Sequence, residues 1–88
     1  MKYVVIGKPS GLALEDIMKV YPRHVMVIEN LMKTGDIIGI GPFTDFGNMA
    51  IFKSRETAER YMREDPFILE GIVVDVTLHE WRDSIESK

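Results

Sequence analysis

Apolar residues along the chain fall into short blocks whose spacing changes from strand-like to helical and back. Tyr3-Val4-Val5-Ile6 is an unbroken β-branched and aromatic run, which predicts a strand buried on both faces. Lys8-Pro9-Ser10-Gly11 ends it with turn chemistry. Leu14 to Val20 predicts a short helix of its own, and Pro22 suits the start of a second, where the first turn has spare N–H groups. From Pro22 to Thr34, Val25, Ile28, Leu31 and Met32 recur at helical spacing, with Gly35 placed to cap the end. Ile37-Ile38-Gly39-Ile40 predicts a second strand that Gly41-Pro42 stops, and Met49-Ala50-Ile51-Phe52 a third, joined to it by a short hairpin connection. Ser54 is placed as the N-cap of a further helix running to about Asp65, where Pro66 blocks continuation. Ile72 to Leu78 predicts the last strand.

The order is βαββαβ. Helical crossovers join parallel strands and a hairpin joins the two halves. This predicts an α+β, ferredoxin-like fold: a four-stranded antiparallel sheet with two helices on one face. In the last strand Val74, Val76 and Leu78 alternate with Asp75, Thr77 and His79, so the apolar set is expected toward the helices and the polar set toward the open face. The first strand has apolar residues on both sides, which makes that open face part apolar and suits a dimer seam or a shared cavity. One domain is expected over residues 1–82, followed by a polar, frayed tail over 83–88.

Composition narrows the function. An 88-residue chain has room for one domain with a small core, and without cysteine it has neither a disulfide staple nor a thiolate nucleophile, so an oligomer is expected. A net charge of −3 argues against a nucleic-acid partner. Arg55, Arg60 and Arg63 are interleaved with Glu56, Glu59 and Glu64, the pattern of a solvated helix face. Neither a signal peptide nor a membrane span is read in the sequence, so a cytoplasmic protein with no membrane partner is expected. The six methionines read as core filler, and Trp81 as an interface anchor or a plug for the core's end.

Candidate chemistry follows from topology. In this fold the end of the first strand, the start of the first long helix, the end of the second strand, the end of the second helix and the start of the last strand share one sheet edge. Gly7, His24, Gly41, Pro42, Phe43, Asp65 and Phe67 all fall there. His24 shares a stripe with Ile28 and Leu31; it reads either as a half-buried structural histidine or as a general acid/base. Asp65 at a helix end faces the negative pole of the dipole, a local penalty of roughly 0.3–1 kcal/mol that points to another purpose, although an Asx turn before proline is the simpler alternative. A carboxylate reaching His24 would orient the ring and fix its tautomer. His24 and His79 lack metal-ligand spacing and no third soft ligand exists, so no metal and no cofactor are expected. Ser10 lacks a nucleophile-elbow motif. Gly39 and Gly41 open no helix, so they are not a phosphate loop.

His24, Leu31, Gly35, Ile40-Gly41-Pro42, Gly47, Ala58, Asp65-Pro66-Phe67, Gly71 and the closing strand to Trp81 together resemble a YCII-related domain, over about Met1 to Trp81. The resemblance implies a dimeric α+β barrel, in which two ferredoxin-like sheets pack through their open faces. It implies an active site on a histidine and an aspartate, which match His24 and Asp65, with Gly41-Pro42 as the Gly-Pro motif beside the pocket. The short connection Phe43 to Gly47 departs from many relatives and is expected to cover that pocket poorly. The expectation is a cofactor-free enzyme, with His24 moving a proton and Asp65 orienting it. Its reaction would be an isomerisation, lactone chemistry or dehalogenating elimination on a small, anionic organic molecule. Gly7, Gly41, Pro42, Phe43 and Phe67 are the expected substrate contacts. The alternative is a non-catalytic accessory module that binds a small molecule or anion.

Overall fold

The computed structural model describes residues 1–85. Its elements are β1 (Lys2–Pro9), α1 (Leu14–Met32), β2 (Ile37–Pro42), β3 (Asn48–Phe52), α2 (Arg55–Glu64), α3 (Pro66–Leu69) and β4 (Val73–Trp81). The sheet order is β2-β3-β1-β4, and every neighbouring pair is antiparallel. Because β1 and β2 both oppose β3, they run parallel, as the helical crossover between them requires. The ferredoxin-like α+β fold expected from the sequence is the fold found.

The main core lies between the sheet and the two long helices. Val5, Leu31, Ala50, Phe52, Ala58 and Tyr61 are buried together, one or two each from β1, α1, β3 and α2. Tyr3 and Val5 face this core from β1, while Val4 and Ile6 face the open side opposite His79 and Thr77.

The first helix is one element, not two. It runs from Leu14 to Met32 with Pro22 inside it. A proline in a helix interior costs roughly 3 kcal/mol, having no N–H for the carbonyl four residues back. Here Pro22 lies on an exposed face, while Ile17 and Val20 are buried against Ile72 and Phe67. Burying two such side chains returns roughly 3–6 kcal/mol, enough to carry the helix through the proline. The helix closes at Lys33, ahead of Gly35, whose N–H bonds the Met32 carbonyl at φ +74°. Pro66 ends α2 and also begins the short helix α3, because φ fixed by its ring suits a first helical position. Gly41 and Pro42 belong to β2 instead of stopping it.

In β4 the expected alternation breaks at Asp75, which takes φ +50° where the pairing with β1 shifts register. One extra residue flips the phase of everything before it. Val76 and Leu78 point to the core as expected, but Val74 is exposed and Val73 is buried in its place. The methionines depart from expectation too: Met18, Met26 and Met32 are exposed on α1. Trp81 is partly exposed, with the Lys2 ammonium 5.7 Å from its ring. Of the tail expected over 83–88, residues 86–88 lie outside the described residues; Asp83 forms an ion pair with Lys2 at 2.6 Å. No helix of the described residues is long and apolar enough to cross a membrane.

Candidate active site

His24 and Asp65 meet. The His24 Nδ1 lies 2.7 Å from Asp65 Oδ1, across 41 positions of sequence. His24 is 8% exposed and Asp65 fully buried. The same Oδ1 accepts the Phe67 backbone N–H at 3.1 Å, the Asx turn that caps α3. Asp65 thus does both things the sequence left open: it closes the turn at Pro66 and it reaches the imidazole. A carboxylate oxygen only accepts, so Nδ1 carries the hydrogen, and Nε2 is the nitrogen left for the cleft that His24 lines.

Two further groups hold the ring. Phe67 stacks on His24, and Tyr21 lies 6.0 Å from it on the preceding turn of α1. Arg23, next to His24, forks onto Glu70 beyond α3: Nη1 reaches Oε2 and Nη2 reaches Oε1 at 2.9 Å. Arg23 holds the Glu70 carboxyl below the usual carboxylate range, first through these hydrogen bonds. The pair links the end of α3 to α1, but it is exposed and adds little net energy.

Behind Asp65 stands a residue that the sequence reading passed over. Tyr61, one helical turn earlier on α2, is 1% exposed. Its hydroxyl and Asp65 Oδ2 are the buried side-chain polar atoms, among the described residues, without a normal hydrogen bond. Asp65 and the Asn48 amide both lie close enough to act on the phenol. Burial first, and then the Asp65 charge, push the phenol far above its usual range, so it stays protonated. Tyr61 and Asp65 have the spacing of one helix face, a signal available in the sequence. Asn48 had none, because its position depends on pairing with Gly7 across β1 and β3.

His24 opens onto a cleft of about 460 Å³ between α1 and the helix-facing side of the sheet. Gly41, Pro42 and Phe67 line it, as do Asn48 and Phe46. Gly7 and Phe43 are not among its lining residues. Gly7 sits behind Asn48 and Val73: a Cβ there would come within 2.9 Å of Asn48 Oδ1 and 2.8 Å of Val73 Cβ. In the hairpin, Phe43 binds back to Gly47, its N–H 2.7 Å from that carbonyl, while Phe46 at φ +71° turns to the cleft. The short connection therefore does place an aromatic side chain on the cleft wall. No group of three or more metal-ligating side chains comes together among the described residues.

A comparison with curated proteins finds no match. Among solved structures, the chain is similar to 5-chloro-2-hydroxyhydroquinone dehydrochlorinase (TftG) from Burkholderia phenoliruptrix AC1100, in complex with 2,5-dihydroxybenzoquinone. The TM-score is 0.77 at 19% identity, covering 100% of both chains. That identity speaks for the fold alone. The YCII-related domain matches residues 1–82, nearly the whole sequence. With that match on top of the βαββαβ fold, the chain belongs to the YCII-related domain family.

Proposed function

We propose that the protein is a cofactor-free enzyme that moves a proton on a small organic molecule held in the α1 cleft. The observation that carries this is the 2.7 Å His24–Asp65 contact in the cleft wall. Asp65 holds the imidazole in one tautomer, leaving Nε2 to take and return a proton. In an elimination, Nε2 would accept the substrate proton while the leaving group departs with its bonding pair; the imidazolium then passes the proton to water. Isomerisation and lactone chemistry need the same shuttle. The dehydrochlorinase of similar fold supports the elimination version.

The test is turnover of 5-chloro-2-hydroxyhydroquinone, read as chloride release, together with lactone and isomerase substrates of similar size. His24→Gln is expected to lower turnover by at least about 10²-fold, the usual contribution of a positioned acid/base. Unchanged turnover in that variant would sink the proposal. Binding with no turnover on any of these would favour an accessory binding module.

We also propose that the working unit is a homodimer through the open sheet face. Val4, Ile6, Met49 and Ile51 form an apolar stripe there, flanked by His79 and Trp81. Ile51→Asp should dissociate the dimer in analytical ultracentrifugation, and a wild-type monomer at high concentration would end the idea.

A further inference from the structure

We infer that the cleft selects an uncharged, ring-sized molecule and turns away carboxylate-bearing ones; this rests on the acid/base reading above, whose substrate class it names. It departs from the anionic substrate expected from the sequence. Among the described residues, no Lys or Arg lines the cleft, and its one acidic residue is Glu29 on α1. A protonated His24 adds no net cation, because the Asp65 carboxylate lies 2.7 Å from it. An anion entering would shed water without meeting a counter-charge, and an unpaired buried charge is the most costly group to desolvate.

Shape and lining point the same way. The cleft is about 460 Å³, within the range of small-molecule sites, and its wall is mostly aliphatic and aromatic. Tyr21, Phe67 and Phe46 offer ring surfaces on which a planar molecule can stack. The neutral polar side chains available are the Asn48 amide, the His24 ring and the Tyr21 hydroxyl. Together they suit a neutral ring bearing a hydroxyl or carbonyl oxygen. Glu29 is exposed, so its repulsion is screened by salt and acts as a modest gate at the rim.

The experiment compares matched probes on the whole chain: hydroquinone against 4-hydroxybenzoate, and benzamide against benzoate, at pH 7.5 and low salt. Binding is read from the NMR resonances of the His24, Tyr21 and Phe67 rings. The uncharged member of each pair is expected to bind about tenfold tighter or more. Glu29→Lys is expected to shrink that ratio to about threefold or less, mainly by improving carboxylate binding. Equal or tighter binding of the carboxylates to the wild type overturns the inference, as does silence of the three rings toward every probe. A Glu29→Lys ratio unchanged from wild type removes Glu29 from it. Failure of the acid/base reading shows separately: turnover unaffected by His24→Gln, beside an intact probe ratio, defeats that reading and leaves the selectivity standing.

Discussion

The Phe67 ring lies flat on the His24 imidazole, with centroids 3.9 Å apart and planes within 11° of parallel. The backbone N–H of Phe67 also binds the Asp65 oxygen that meets Nδ1. One residue of a short helix therefore fixes both members of the pair, the ring by stacking and the carboxylate through its turn. Phe67→Leu keeps the backbone bond and removes the stack. It is expected to lower turnover by about tenfold, with a stability cost of about 1 kcal/mol, the worth of an aromatic pair. Urea unfolding beside steady-state kinetics checks this; a stability loss with full activity would make Phe67 only a packing residue.

Asp65→Asn preserves size but changes what Nδ1 meets, because the oxygen facing Nδ1 is also the one that accepts the Phe67 N–H. An amide can present its NH₂ to the ring, which frees His24 to adopt the other tautomer. Turnover should fall by about 10²–10⁴-fold, as when a buried orienting aspartate is neutralised elsewhere. The ¹⁵N shifts of His24 report the tautomer directly. An unchanged tautomer with unchanged rate would separate the carboxylate from the chemistry.

Tyr61→Phe tests the buried end of the network through pH. The phenol is raised above its ordinary range by burial and by Asp65. Below about pH 10, folded and unfolded chains both keep the phenolic proton. Above it the unfolded chain releases a proton that the folded chain holds, so the unfolded state binds fewer protons and stability falls as pH rises. The variant should lose about 1 kcal/mol near pH 7, where a buried carboxylate oxygen loses its hydroxyl neighbour, yet show a flatter decline above about pH 10. Chemical denaturation across pH 7–11 measures both; parallel curves would deny the phenol its part.

Gly7→Ala tests why a glycine stands behind the cleft. The added Cβ would come within 2.8 Å of Val73 and 2.9 Å of Asn48 Oδ1, and Val73 is buried with little room to move. Overpacking of this kind costs typically 1–3 kcal/mol. The Asn48 amide should be displaced with it, weakening binding of uncharged probes in the cleft. A variant of wild-type stability would show that the strand end yields easily.

Much of this protein was decided locally. The β-branched run at Tyr3–Ile6, the Ser54 cap with its hydroxyl accepting the Thr57 N–H at 3.2 Å, and the order of strands and helices were legible because each depends on neighbours in sequence. The order of elements then carries His24 and Asp65 to one edge of the sheet. Where the sequence misled, a distant partner outweighed a local rule. Pro22 stays inside a helix because Ile17 and Val20 bury against Ile72 and Phe67, and Val74 faces outward because a bulge at Asp75 shifts the pairing with β1. Asn48, Tyr61 and Phe46 joined the cleft region through strand register, burial depth and a left-handed turn residue. Those three properties belong to the packed chain, since spacing sets which face a side chain takes but only tertiary contact sets what that face meets.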